Sequence, residues 1–291
     1  MSIPSLKNYP LPGKADFPAN KTAWRPDPAR AALLIHDMQR YFLAFYGEDS
    51  PLAAQLTARV AALRDWADRH GVPVVYTAQP SEQSAADRAL LNDMWGPGLT
   101  RADPALQAVA PALAPRPQDT VLVKWRYSAF QRSDLQERMR HWGRDQLLIC
   151  GVYAHIGCMM TAADAFMRDI QAFMVGDAVA DFSAEEHQLA LQYVATRCGA
   201  LVSCEELLAG EQRALTRDWL KAQILAVLED GDESLAGDDN LIDYGLDSLQ
   251  VMALVAEWSK LGVKVSFEDL ARAPSLDGWW ALLAPQLAAQ E

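Results

Sequence analysis

No apolar run in the 291 residues reaches the ~18 that a membrane-spanning helix needs, and no basic-then-apolar leader opens the chain. A soluble, cytoplasmic protein is the expectation. Cysteine is scarce. Cys150, Cys158, Cys198 and Cys204 show no CxxC or zinc spacing, so they read as reduced, mostly structural thiols. No His/Asp/Cys spacing suggests a metal, and none is expected. Positive charge is short too: 26 Lys+Arg stand against 38 Asp+Glu, a net of −12. That balance argues against non-specific nucleic-acid binding, which wants a basic face. Internal repeats and low-complexity tracts are also missing.

What remains is a chain able to build a core. Hydrophobic residues make up 51%, and the length suggests about two domains. The nine tryptophans read as core and pocket packing. Charge is unevenly spread. Residues 211–291 hold 6 Lys+Arg and 15 Asp+Glu, a net of −9, whereas residues 1–210 hold 20 and 23, a net of −3. So acidic a segment either solvates itself or meets basic partners.

Residues 1–30, rich in Pro and polar side chains, are expected to wrap the surface. Six apolar stretches follow, at 31–37, 72–79, 120–124, 146–153, 173–177 and 200–204. Helical patterns separate most of them, at 52–70, 132–142, 158–168 and 184–197. Leu56, Val60, Leu63 and Ala67 share one helix face, and Gly71 stops that helix. Apolar strands alternating with helices indicate an α/β fold: a parallel sheet covered on both faces. Residues 81–114 form a long insertion, of a kind that is often functional. Glu205–Gln212 reads as the end of the first domain and a short linker. Helical patterns then occupy 213–229, 248–261 and 276–287, around an acidic loop at 231–239. The first of these places Leu220, Ile224, Val227 and Leu228 on one stripe.

Sequence order carries a geometric inference. Asp37 ends the first strand, Gln79 the second, Lys124 the third and Tyr153 the fourth. In a parallel sheet these ends share one edge, so four polar groups converge on one crevice. Alternation along the first strand points His36 away from the face of Asp37 and suggests a structural role for it. His155 sits in the glycine-flanked turn Gly151-Val-Tyr-Ala-His-Ile-Gly-Cys158. Asp177 ends the fifth strand as a capping or supporting residue.

The stretches Leu33-Leu-Ile-His-Asp-Met-Gln39, Tyr76-Thr-Ala-Gln-Pro80, Leu91-Asn-Asp-Met-Trp-Gly-Pro-Gly-Leu-Thr-Arg101, Val123-Lys-Trp-Arg-Tyr-Ser-Ala-Phe130 and Gly151–Cys158 resemble the bifunctional isochorismatase/aryl carrier proteins of catechol siderophore synthesis. These belong to the isochorismatase-like, or cysteine-hydrolase, superfamily. The resemblance implies a six-stranded parallel sheet flanked by helices over 1–208, a linker at 209–212, and a small all-α carrier bundle over 213–291. Asp37 and Lys124 match the family's catalytic acid and lysine. Gly157 matches the position where amidases of the superfamily carry their nucleophilic cysteine. Cys158 comes one place late, and one residue at a helix start turns a side chain by about 100°. Without that thiolate there is no covalent amidase route. Gln79, Arg88, Trp95 and Tyr153 match substrate-contacting positions, and Phe42 a pocket wall. A non-proline cis bond at Val152–Tyr153 is implied as well.

The implied reaction is hydrolysis of the vinyl ether of isochorismate to pyruvate and 2,3-dihydro-2,3-dihydroxybenzoate. It begins with a proton placed on the terminal vinyl carbon, which requires an acid with a raised pKa. Burial and a dianionic substrate raise it for Asp37, while Lys124 lowers it. Lys124 either orients Asp37 or pairs with a substrate carboxylate.

A second resemblance lies in Asp239-Asn-Leu-Ile-Asp-Tyr-Gly-Leu-Asp-Ser-Leu-Gln250, which is similar to the carrier motif of nonribosomal peptide synthesis. It implies a 4'-phosphopantetheine arm on Ser248, with Met252, Phe267 and Ala271 facing a condensing enzyme. The implied partners are a phosphopantetheinyl transferase, a 2,3-dihydroxybenzoate-AMP ligase and a condensing nonribosomal peptide synthetase. Association of the catalytic domains is also implied. Three rivals stand beside this reading. They are hydrolysis of 2-amino-2-deoxyisochorismate, a cysteine amidase using Cys158, and a silent scaffold that only presents Ser248.

Overall fold

The computed structural model describes residues 3–212, 217–228, 235–260 and 264–288. The chain divides into two compact units, Met1–Leu208 and Ala209–Glu291.

In the first unit the six apolar stretches become β1 (Ala31–His36), β2 (Val74–Ala78), β3 (Thr120–Val123), β4 (Gln146–Val152), β5 (Gln171–Ala180) and β6 (Gly199–Val202). They form one sheet in the order β3-β2-β1-β4-β5-β6, with every neighbouring pair parallel. β1 and β4 are buried along their whole length, which is why they read as continuous apolar runs rather than as alternation. Helix α1 (Pro51–Arg69) covers one face, where its Leu56, Val60 and Leu63 join Leu33 and Ile35. Helices α2 (Leu135–His141), α3 (Met159–Phe166) and α4 (Ala184–Tyr193) cover the other, against Ala32 and Leu34. Ser50 starts α1 by accepting from the Ala53 N–H, with Pro51 in the first turn. Gly71 ends it at φ +62°, a conformation open to glycine. Leu6 and Leu11, in the N-terminal segment, are buried against this core.

Several boundaries differ from expectation. β5 runs on to Ala180, so Asp177 lies inside the strand and not at its end. Its register against β4 shifts between Ile149 and Gly151, which lets extra chain be absorbed. Wide turns at 154–158 and 194–198 replace the start of one expected helix and the end of another. The insertion at 81–114 folds as short helical turns, among them Ala85–Arg88 and Leu91–Trp95. The stretch read as linker is helical, as part of α5 (Cys204–Gln212). Asp177 Oδ1 accepts from the Cys204 N–H at 2.8 Å and so caps this helix.

The order of strands reverses between β1 and β4. The chain builds outward from β1 to β3, then returns to β4 and builds the other way. Loops leaving the two central strands therefore diverge and open a crevice at their carboxyl ends.

The second unit holds α6 (Arg217–Val227), α7 (Ser248–Lys260), α8 (Phe267–Arg272) and α9 (Leu276–Ala288). Its own core includes Leu220, Ile224, Leu228, Leu254, Trp258, Leu270 and Trp279. Trp258 and Trp279 meet edge to face with ring centres 5.8 Å apart. α8 was not anticipated. Ser266 accepts from the Asp269 N–H while the Asp269 carboxylate accepts from the Ser266 N–H, a reciprocal cap that starts this short helix. Parts of the expected helix at 213–229 and of the acidic loop at 231–239 lie outside the described residues.

Candidate functional site

Asp37, Gln79, Lys124 and Tyr153 each follow directly on the carboxyl end of one of the strands β1 to β4. With Phe42, Arg88, Trp95 and Gly157 they line a single crevice. The short helices of the insertion bring Arg88 and Trp95 to it.

Asp37 is 5% exposed and Lys124 4%. Lys124 Nζ donates to Asp37 Oδ2 at 2.8 Å, and Thr77 Oγ1 donates to Asp37 Oδ1 at 2.6 Å. Burial alone pushes the Asp37 carboxyl up. The Lys124 ammonium, His36 and the two hydrogen bonds outweigh it and hold Asp37 below its ordinary range. Without substrate, then, Asp37 is an ionised carboxylate, and an acid role requires a bound anion to reverse the balance.

His36 enters the site, contrary to the alternation argument. Asp37 has φ +49°, so the strand's period ends there, and the crevice lies across the strand ends where both faces reach it. The His36 ring is buried, with Nδ1 donating to Val152 O at 2.7 Å and lying 3.7 Å from Asp37 Oδ2. Burial and the Lys124 ammonium push its pKa down to about 4, so the imidazole is neutral. Thr77, Tyr127 and Phe182 are further site residues that the sequence reading missed. The parallel register sets Thr77 opposite His36, a pairing that no local sequence pattern reports.

The Val152–Tyr153 peptide bond is cis. Tyr153 donates from its hydroxyl to Phe42 O at 2.7 Å, and its ring packs edge-on against Phe182 at 4.8 Å. Trp95 Nε1 donates to the Tyr127 hydroxyl at 2.8 Å. Arg88 is 5% exposed, and its Nε donates to Gly96 O at 2.8 Å. Among the described residues no carboxylate lies within ion-pair distance of it. Burial lowers its pKa without displacing the charge, so a buried planar fork faces the crevice and wants an anion.

Cys158 is fully buried in the core on the α2–α4 face, outside the crevice lining. Burial raises its pKa well above the ordinary value, so it presents no thiolate. All four cysteines are free and buried. His155, Asp181 and Glu186 bring ligand-type atoms within 4.8 Å of one another. His155 already donates to the Asp181 carboxylate through its backbone N–H, and its ring Nδ1 lies at hydrogen-bond distance from the same carboxylate.

In the second unit Ser248 is exposed in the first turn of α7. Asp247 Oδ1 accepts from the Gln250 N–H, and Gln250 Oε1 accepts from the Asp247 N–H, both at 2.8 Å. This reciprocal cap leaves the Ser248 hydroxyl outward, and Gly245 turns the approaching loop at φ +87°. Leu249, Met252 and Phe267 are exposed at 77%, 58% and 37%, and Ala271 is exposed too. An accessible hydroxyl at a positive helix end, beside apolar surface, fits a phosphodiester-linked arm.

The chain matches the isochorismatase domain model over residues 31–206 and the phosphopantetheine attachment site model over residues 218–283. It is 56% identical over 287 residues to enterobactin synthase component B of Escherichia coli, covering 99% of this chain and 100% of that protein. It is 46% identical to an isochorismatase of Bacillus subtilis, covering 97% of this chain and 96% of that one. A solved cysteine hydrolase of Pseudomonas syringae superposes with a TM-score of 0.59 at 25% identity, over 66% of this chain and 96% of that one. With its family model spanning the whole sheet and its relatives aligning end to end, the chain belongs to the isochorismatase family and carries a phosphopantetheine attachment domain behind the catalytic fold.

Proposed function

We propose that the first unit hydrolyses isochorismate to pyruvate and 2,3-dihydro-2,3-dihydroxybenzoate. The second unit carries 2,3-dihydroxybenzoate on a phosphopantetheine arm at Ser248 during nonribosomal siderophore synthesis. The observation that carries the first half is the crevice itself. It holds a buried Asp37–Lys124 pair and an anion-seeking Arg88, and its lining includes no cysteine.

The substrate is a dianion. One carboxylate suits the Arg88 fork, and the other charge competes with Asp37 for Lys124. Binding therefore weakens what keeps Asp37 deprotonated and raises its pKa inside the complex. Asp37 then delivers its proton to the terminal vinyl carbon. Water adds to the resulting oxocarbenium ion, and the hemiketal collapses to pyruvate. Gln79, Trp95 and Tyr153 contact the substrate, Phe42 walls the pocket, and the bare Gly157 leaves room without offering a nucleophile.

At Ser248 the arm supplies a flexible thiol for an aryl acid. Asp247 and Gln250 hold the helix start open for a phosphopantetheinyl transferase. A 2,3-dihydroxybenzoate-AMP ligase loads the arm, and a condensing nonribosomal peptide synthetase meets Met252, Phe267 and Ala271. The acidic surface steers basic partners. The catalytic units associate into a homo-oligomer, and the protein works in the cytoplasm.

Pyruvate assays on isochorismate and on 2-amino-2-deoxyisochorismate, side by side, test the first half. Faster turnover of isochorismate is expected, and a preference for the amino compound would sink the assignment. Intact-mass measurement after incubation with coenzyme A and a transferase tests the second. One phosphopantetheine is expected on the chain and none on Ser248→Ala.

A further inference from the structure

Two residues of the crevice lining, His36 at the end of β1 and Gly157 in the turn after the neighbouring β4, are in direct contact. A Cβ built on Gly157 would lie 2.1 Å from His36 Cε1, 2.7 Å from Nε2 and 3.0 Å from Nδ1. Real side chains do not approach so closely, and this ring is not the free end of a flexible chain. It is buried, with Nδ1 2.7 Å from Val152 O and Nε2 3.3 Å from Tyr127 O. The strand behind it is fixed as well. His36 pairs in register with Thr77 of β2 on one side and with Gly151 of β4 on the other. The ring therefore cannot retreat along β1, and position 157 cannot carry a side chain while it stays.

We propose that His36 and Gly157 form a specificity-determining interlock. The imidazole fills the volume that a side chain at 157 would need, and so bars a nucleophilic side chain from that position. The pocket is thereby restricted to chemistry without a covalent enzyme intermediate. The packing claim holds for any substrate. Only its consequence for the reaction rests on the function proposed above.

The test is a mutant cycle in the full-length protein. His36→Asn keeps an amide donor near Val152 O but vacates the place of Cε1. Gly157→Ala alone should lower the melting temperature markedly or fail to fold. In the His36→Asn background the same alanine should be tolerated, so the two substitutions are strongly non-additive. Equal loss from Gly157→Ala in both backgrounds overturns the interlock. So does a double variant that fails to fold when His36→Asn folds, and so does a Gly157→Ala variant that melts like wild type.

A second reading uses a thiol. In His36→Asn/Gly157→Cys, iodoacetamide should alkylate one cysteine in the folded protein: the sulfur bonds to carbon, iodide leaves and the thiol proton goes to buffer. Gly157→Cys alone should not yield folded, labelled protein, and labelling of that single variant at the same rate overturns the proposal. Neither melting nor alkylation involves isochorismate, so the interlock stands or falls separately from the assigned reaction.

Discussion

At the scale of single residues the site is a contest over one proton. Asp37 is held ionised by Lys124, so in the native state it binds its proton less tightly than in the unfolded chain. Its contribution to stability is complete above the unfolded carboxylate range, and it is lost as pH falls through the lower native value. Lys124→Met inverts that sign. Burial then acts without its main opponent, and Asp37 is stabilising only while protonated, at low pH. Removing one partner of a buried pair costs about 3–5 kcal/mol. Urea unfolding of Lys124→Met should show a loss of that size at neutral pH and a distinctly smaller one near pH 5. An equal loss at both would contradict the assigned pairing. Asp37 and Lys124 were legible in the sequence because they end apolar strands, whereas Arg88 came only from the family resemblance. His36 was not legible, because the positive φ at Asp37 breaks the alternation on which the reading relied.

At the scale of elements, β1 to β4 were legible because each is an apolar run ended by a polar residue. The extension of β5 was not, since it depends on a register shift against β4 that no local pattern reports. The wide turn 154–158 is similarly set by tertiary packing: its His155 is tied to Asp181, on the loop after β5. The start of α7 was legible, because Asp247-Ser248 before an apolar-periodic stretch is a capping signal. The Asp247–Gln250 reciprocal bonds give it a measurable weight. Asp247→Ala should destabilise the second unit by about 1 kcal/mol and slow modification of Ser248. Hydrogen exchange at the α7 amides checks the first point; unchanged protection would show that the cap does not stabilise the helix start.

At the scale of the whole molecule, two units with separate cores carry two separate chemistries. Ser248→Ala should therefore release pyruvate at the wild-type rate, and Asp37→Asn should accept phosphopantetheine as wild type does. Cross-talk in either direction, read by the same pyruvate and mass assays, would show that the two activities are coupled. The end of the strand–helix alternation at Glu205–Gln212 and the helical patterns after it separated the units in the sequence, and the acidic second unit suits partners with basic faces. The central claim concerns the first unit alone: a buried carboxylate, re-protonated when a dianion binds, breaks the vinyl ether. Pyruvate release by Asp37→Asn tests it most directly, with isochorismate binding followed by calorimetry. Binding should be retained and the rate lower by at least about 100-fold. Near-wild-type release of pyruvate by that variant would contradict it.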